Sequence, residues 1–172
     1  MNRPLFETDL SHPDHMGAFI SPTDGRVTFD AMFDRIVSFM DEDPEADYRI
    51  IVGTDSHLGH RICFVTAVIV HRTGKGARYY YQRQYHRKLN SLRQKIFYET
   101  SLSLQLAGSL AGKLAENGHA EMNVEIHLDV GQRGKTRDMI REVVGMVTGS
   151  GFDAKIKPDS YAASNVADRH TK

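Results

Sequence analysis

Three consecutive strand-like runs, joined by short links that contain glycine, place the strongest constraint on the fold of this chain. The runs cover about residues 48–54, 62–71 and 78–86, and they are rich in β-branched and aromatic side chains. The links at 57–60 and 73–76 are too short for a helical crossover between parallel strands. The pattern therefore predicts an antiparallel meander within a β-sheet.

Helical and strand-like segments alternate after this meander. The periodicity predicts a helix over about 91–116, a strand over 124–129, a helix over 135–148, a strand over 152–157 and a short helix over 161–170. An antiparallel meander followed by alternating helices and strands predicts an α/β fold with a five-stranded mixed sheet flanked by helices.

The first part of the chain carries a different pattern. Residues 1–27 are rich in Pro, His, Asp and Gly, which predicts an irregular arm, and Thr28 is a suitable N-cap for a helix over 29–41. A length of 172 residues suits one domain with a sizeable core. We therefore expect a single domain over 1–172, with an arm and a helix over about 1–47.

Composition excludes several classes of protein. A single cysteine, Cys63, excludes an internal disulfide framework and a cysteine-rich zinc site, and its apolar neighbours predict a buried thiol. No run is long and apolar enough to span a membrane, and the N-terminal residues lack the pattern of a signal peptide. A cytoplasmic location is therefore expected.

Charge is distributed unevenly although the formal net charge is zero. Residues 1–47 hold 11 acidic and 3 basic side chains, whereas residues 72–98 hold 8 Lys or Arg and no acid. The basic stretch also contains Tyr79–Tyr81 and Tyr85. Basic side chains neutralise phosphates and tyrosine rings stack on unpaired bases, so this stretch favours nucleic-acid contact. A solvated strand with aromatic cross-strand pairs is the alternative.

Carboxylates are placed unusually in the middle of the chain. Between Asp47 and Glu116 there are two, Asp55 in a strand-like run and Glu99 within the apolar stripe of a helix, and a third, Asp129, ends a later strand. Carboxylates are rarely buried unless they are paired or bind metal. Their convergence at strand ends predicts a divalent-metal site.

Each of these carboxylates also has a structural alternative. Asp55 and Asp129 are suitable turn residues, and Glu99 has basic neighbours on its helix. His57 follows Asp55 by two residues and His127 precedes Asp129 by two, so each shares a strand face with its aspartate. Either histidine is a candidate to ligate metal or orient water, or a polar residue at the sheet rim.

The loop over 129–136 is close to a phosphate-binding motif. It matches the pattern G-x-x-x-x-G-K-[ST], except that Asp129 replaces the first glycine. A carboxylate there repels a nucleotide phosphate, so nucleotide binding is the weaker interpretation. We expect Lys135 and Arg137 to contact a nucleic-acid backbone instead.

Three motifs carry a resemblance to a known family. Gly53-Thr54-Asp55-Ser56, His127-Leu128-Asp129-Val130-Gly131 and the segment over 154–163 resemble the YkuK family, whose members are predicted ribonuclease H-like proteins. The order of elements is similar to that of the ribonuclease H-like superfamily. Nearly the whole chain is covered by the resemblance.

The resemblance implies a site and an activity. In the superfamily, four carboxylates bind two metal ions, Mg²⁺ or Mn²⁺, and they fall here on Asp55, Glu99, Asp129 and Asp168, with Asp159 as a competitor for the last place. The implied activity is metal-dependent cleavage of phosphodiester bonds in nucleic acid. A nucleic-acid-binding module without turnover is the alternative. For either function, the expected backbone contacts are Arg83, Arg87, Lys88, Lys135 and Arg137.

Overall fold

A computed structural model of the chain describes residues 17–160. This range contains seven strands, three α-helices and one short 3-10 helix. In chain order the elements are β1 (Phe19–Ser21), β2 (Gly25–Val27), α1 (Phe29–Asp41), β3 (Tyr48–Leu58), β4 (Ile62–Arg72), β5 (Ala77–His86), α2 (Leu92–Glu116), β6 (Val124–His127), the 3-10 helix (Arg137–Met139), α3 (Ile140–Gly149) and β7 (Asp153–Lys155).

The seven strands form one mixed sheet in the order β2-β1-β5-β4-β3-β6-β7. The predicted meander is confirmed, because β3, β4 and β5 pair antiparallel along nearly their whole length. β6 then pairs parallel with β3, and β7 parallel with β6. A parallel pair needs a crossover, and α2 and α3 provide the two crossovers.

The prediction of a five-stranded sheet was wrong, since the sheet has seven strands. The prediction of an irregular arm over 1–27 was also wrong for the described part of that arm, which contains β1 and β2. β1 and β2 form a hairpin, and Ile20 of β1 pairs with Tyr81 of β5, which extends the sheet by two strands. Strands of three residues are too short to produce an alternating pattern. The hairpin link ends at Gly25, whose φ of +70° is accessible to glycine.

The helices agree with prediction except at one end. Thr28 caps α1 as expected, because its hydroxyl accepts a hydrogen bond from the Ala31 N–H at 3.1 Å. The helix predicted from residue 135 begins later, since the 3-10 helix precedes α3. The helix predicted over 161–170 lies outside the described residues.

The two larger of three apolar clusters lie on the two faces of the sheet. The larger cluster joins residues of α1, α2 and α3 to alternate sheet residues such as Ile50 and Val52. The smaller cluster contains the intervening residues, including Ile51 and Cys63, so the thiol is buried as predicted. Within residues 17–160 no helix has the length and hydropathy that a membrane span requires.

Candidate metal centre

Three carboxylates converge where β3 continues past the end of β6. Asp55, Glu99 and Asp129 each offer an oxygen, and these oxygens all lie within 4.8 Å of one another. The parallel register pairs Gly53 with His127, the last residue of β6. Two residues further along each chain, Asp55 and Asp129 therefore reach the same level of the sheet.

Helix α2 supplies the third carboxylate from its buried side. Buried hydroxyls fix the helix on the sheet, because Ser103 Oγ lies 2.8 Å from Thr54 Oγ1, which lies 3.1 Å from Thr66 Oγ1. Glu99 lies one turn before Ser103 on the same face of α2, and only 4% of it is exposed. The apolar stripe of α2 thus carries a carboxylate to the end of β3.

Glu99 is buried without a bonded cation. Among the described residues it takes part in no ion pair, and the Ser56 hydroxyl donates a hydrogen bond to Glu99 Oε1 at 2.7 Å. Burial raises the pKa of Glu99 to about 8, and the charges of Asp55 and Asp129 add to the rise, whereas the bond from Ser56 opposes it. The cost of ionising this carboxyl is what a bound cation would remove.

The two aspartates are partly buried and have partners. The backbone N–H of Ser56 donates to Asp55 Oδ1 at 2.8 Å, which orients that carboxylate. Lys157 Nζ lies 2.5 Å from Asp129 Oδ1. This bond raises the pKa of Lys157, and the charges of Asp55 and Glu99 contribute to the same rise.

A second buried carboxylate, Glu125, lies on β6 outside this cluster. Arg49 donates two hydrogen bonds to it, from Nε and Nη2, each at 2.7 Å. This pairing lowers the pKa of Glu125. His127 Nε2 lies 3.7 Å from Glu125 Oε1, and burial lowers the pKa of this histidine. Glu125 is therefore already neutralised by protein groups.

The other predicted site residues stand apart from the three carboxylates. In the part of the chain that the structure describes, His57, His127 and Asp159 supply no atom to the group that could hold a metal ion. His57 is exposed at the end of β3, and Asp159 is exposed in the turn after β7. His127 is buried beside Glu125 and borders a small cavity with Glu99 and Asp129. Asp168 lies outside the described residues.

The loop after Asp129 does not form a phosphate cradle at a helix N-terminus. The Gly131 N–H donates to Thr136 Oγ1 at 3.1 Å, so the loop is closed on itself. The 3-10 helix then separates Thr136 from the first residue of α3, Ile140. This geometry disfavours the nucleotide-binding interpretation, because a helix N-terminus is what concentrates free N–H groups on a phosphate.

Basic side chains lie beside the centre on two elements. Arg83 of β5 is at the level of Asp55, since both pair with Val65 of β4. Cross-strand partners share a face, so Arg83 and Asp55 lie two strand spacings apart, roughly 10 Å. Further along, the Arg61 guanidinium stacks on the exposed Tyr85 ring at 4.7 Å.

The second basic group follows Asp129 in the chain. Lys135 and Arg137 are exposed, as the predicted role requires. Arg137 also lines an open groove together with Arg133 and Arg141. Arg87 and Lys88 follow β5, and both are exposed. Contact of these residues with nucleic acid stays a prediction.

Sequence reasoning missed three residues of the centre and its surroundings. Ser56 has no signal in the sequence beyond being a polar neighbour of Asp55. Lys157 follows a short, exposed strand, so the sequence does not indicate its partner. Glu125 lies between the apolar Val124 and Ile126, and this position did not indicate a partner. The pair of Arg49 and Glu125, in neighbouring strands, was the available signal, but it is visible only once the register is known.

The donors present at the centre suit a hard divalent cation. Mg²⁺ and Mn²⁺ prefer carboxylate oxygens and water, and three carboxylate oxygens are available here without a thiol or imidazole. Burial is the main cause of the raised pKa of Glu99, and the neighbouring charges of Asp55 and Asp129 add to it. The donor set therefore fits the ion that the resemblance implies.

Comparisons with known proteins agree with this architecture. The family model described as "Ribonuclease H-like" matches residues 31–172. A protein of Bacillus subtilis (strain 168), named "Uncharacterized protein YkuK", is 37% identical in an alignment over 166 residues that covers 90% of this chain and 96% of that protein. No solved structure matches the chain significantly. Taken with the mixed sheet and the three carboxylates at its strand ends, these matches place the chain in the ribonuclease H-like family.

Proposed function

We propose that this protein is a divalent-metal-dependent nuclease that hydrolyses phosphodiester bonds in nucleic acid. The observation that carries the proposal is the convergence of Asp55, Glu99 and Asp129 to within 4.8 Å, with Glu99 buried and not neutralised by a bonded protein cation. A purely structural carboxylate at that depth is normally paired, as Glu125 is with Arg49.

Each carboxylate has a role in holding the ion. Asp55 and Asp129 present their oxygens from the strands and Glu99 from α2, while the Ser56 hydroxyl orients Glu99. Asp168 is proposed as a further ligand on the family pattern. A bound Mg²⁺ or Mn²⁺ lowers the pKa of water and polarises a phosphoryl oxygen. The family pattern implies two such ions when substrate is bound.

The basic surfaces would bind and orient the substrate. Arg83 lies at the level of Asp55, so it is placed to neutralise a phosphate next to the one being cleaved. Arg61 and Tyr85 form a stacked pair on which an unpaired base fits, and stacking of this kind is tolerant of sequence. The groove of Arg133, Arg137 and Arg141 suits a phosphate backbone.

The proposal is tested by cleavage of end-labelled RNA, DNA and hybrid duplexes with Mg²⁺, with Mn²⁺ and with a chelator. Wild-type protein is expected to cleave at least one substrate with metal and none with chelator. Asp55→Asn is expected to abolish cleavage while its thermal stability stays equal or rises, because like charges in the cluster repel one another. Asp153→Asn, which removes an exposed carboxylate of β7, is the matched control and is expected to cleave normally.

Two outcomes would contradict the proposal. Cleavage by Asp55→Asn at the wild-type rate would remove Asp55 from the reaction. Metal-independent nucleic-acid binding without cleavage of any substrate would favour the other function, a binding module that uses the same basic surfaces.

A further inference from the structure

Lys157 brings an ammonium group into the acidic centre. Its Nζ lies 2.5 Å from Asp129 Oδ1, and 20% of the Asp129 side chain is exposed. The charges of Asp55 and Glu99 also act on this ammonium. A single protein cation therefore interacts with all three carboxylates of the group.

The backbone around Lys157 is fixed by pairing that continues past β7. The Leu128 N–H donates to the Lys155 carbonyl at 2.9 Å, and the Lys157 N–H donates to the Val130 carbonyl at 2.9 Å. These bonds lock Lys157 beside the chain that carries Asp129. The position of the ammonium thus follows from the sheet register as well as from charge attraction.

A glycine makes room for the stem of this lysine. A Cβ built on Gly131 would lie 3.2 Å from Lys157 Cβ and 3.7 Å from Lys157 Cδ. A separation of 3.2 Å is tighter than ordinary van der Waals distance, so a side chain at position 131 would push the stem away. Gly131 therefore lets the lysine lie flat against the loop and point to Asp129.

Charge balance limits how many further cations the group accepts. Three ionised carboxylates carry three negative charges, and one ammonium with one divalent ion supplies three positive charges. Counted over these described groups alone, a second divalent ion would leave an excess of two positive charges at short distances, which is unfavourable. The ammonium next to Asp129 also occupies one of its oxygens.

We propose that the Lys157 ammonium is the second cation of this centre, so that the protein free of nucleic acid binds one divalent ion per chain. This inference rests on the proposed function and concerns the free protein, whereas the family pattern implies two ions when substrate is bound. When a phosphodiester binds, the same ammonium is placed to contact a non-bridging phosphate oxygen, since lysine binds phosphate as a point charge.

The experiment counts Mn²⁺ ions bound to the full chain without nucleic acid, by electron paramagnetic resonance of free Mn²⁺ and by calorimetry. Wild type is expected to bind one ion. Lys157→Gln keeps the stem but removes the charge, and it is expected to bind two ions, the first roughly tenfold more tightly. Lys157→Arg is expected to bind one ion.

Two further variants serve as controls. Lys155→Gln makes the same charge change two residues away on β7, outside the acidic group, and is expected to bind one ion. Gly131→Ala keeps the charge but displaces the lysine stem, and it is expected to give a first-ion affinity between those of wild type and Lys157→Gln.

The outcomes separate this inference from the proposed function. Two ions bound by wild type, or one ion bound by Lys157→Gln with wild-type affinity, would overturn the role of Lys157 and leave the metal-dependent nuclease standing. No ion bound by any variant would overturn the metal centre itself, and the role of Lys157 with it.

Discussion

Two buried glutamates, Glu99 of α2 and Glu125 of β6, differ in the partners that the fold provides for them. They are 4% and 8% exposed. Glu125 receives two hydrogen bonds from the Arg49 guanidinium, and its pKa is lowered. Glu99 receives a hydrogen bond from the neutral Ser56 hydroxyl, and its pKa is raised to about 8.

Under the proposed function, the contrast distinguishes a structural carboxylate from a carboxylate that binds an external cation. A carboxylate loses the free energy of hydration when it is buried. Two hydrogen bonds from a guanidinium offset most of that loss. The fold supplies such a partner at Glu125. At Glu99 it instead adds two further carboxylates within 4.8 Å, which makes ionisation harder. Such an arrangement lowers the stability of the metal-free protein. It is expected where function requires concentrated negative charge.

The largest expected difference between the two glutamates is in catalysis. Glu99→Gln is expected to lower metal-dependent cleavage by roughly 100-fold or more, because under the proposed function it removes a ligand of the catalytic ion. Glu125→Gln is expected to change cleavage by less than about threefold, since the residue lies outside the carboxylate cluster. Single-turnover rates at saturating Mn²⁺ measure both. Equal losses in the two variants would break the distinction.

The second largest expected difference between the two glutamates is in the pH dependence of stability. Because the folded pKa of Glu99, about 8, lies above its ordinary value of 4.5, the folded state binds more protons than the unfolded state between these values. Stability from this group is present below about pH 4.5 and is lost as pH rises through 8. Urea unfolding without divalent ions should show a loss on the order of 2–4 kcal/mol between about pH 5 and pH 9 relative to Glu99→Gln.

In the same experiment, the change in stability with pH that Glu125 causes is expected to have the opposite sign. Its pKa is lowered, so its contribution is present above the ordinary value and is lost as pH falls through the folded pKa. Glu125→Gln should therefore lose stability relative to wild type at neutral pH, where Glu99→Gln gains it. A parallel pH response of the two variants would show that their surroundings do not differ as described.

A smaller effect is expected from removing the cation beside each glutamate. Arg49→Ala leaves Glu125 buried without its partner and should lower the free energy of unfolding by about 1–3 kcal/mol, after allowance for the 44% exposure of the arginine side chain. Lys95→Ala is the matched change near Glu99, where the lysine acts through its charge alone, and should cost less than about 0.5 kcal/mol. Urea unfolding at neutral pH measures both, and a loss at Lys95 as large as that at Arg49 would contradict the account.

The smallest effect concerns cations that face solvent. Combined substitution of Arg83, Arg87 and Lys88 with Ala should weaken nucleic-acid binding and reduce the slope of log affinity against log salt by up to about 0.9 for each phosphate that the variant no longer neutralises. Lys75→Ala, at the other end of β5, is the control because Lys75 pairs with Asp43. An unchanged slope in the triple variant would exclude this stretch as the phosphate-binding surface.

Much of the centre was predictable because its residues break strong local patterns. Asp55 and Asp129 follow apolar strand-like runs and Glu99 interrupts the apolar stripe of α2, so each stands out from its neighbours. The meander was predictable from its short links. The hairpin of β1 and β2 was not, since three-residue strands have no period and its pairing with β5 is non-local.

The partners of these carboxylates depend on register rather than on local pattern. Lys157 reaches Asp129 because β7 pairs with β6, and Arg49 reaches Glu125 because β6 pairs with β3. Both pairs join residues distant in the chain. The contrast between Glu99 and Glu125 therefore required the structure, although both residues were visible in the sequence.

The most direct test of the central claim is proton release on Mn²⁺ binding, measured by calorimetry in buffers of different ionisation enthalpy. With a pKa of about 8, Glu99 is mostly protonated at neutral pH and must ionise to hold the ion. Wild type should release close to one proton per ion at about pH 7 and almost none at about pH 9.5, and Glu99→Gln should release almost none at either pH and bind more weakly. Mn²⁺ binding that is unaffected by Glu99→Gln, or no binding to wild type at either pH, would contradict the claim that these three carboxylates form a cation site.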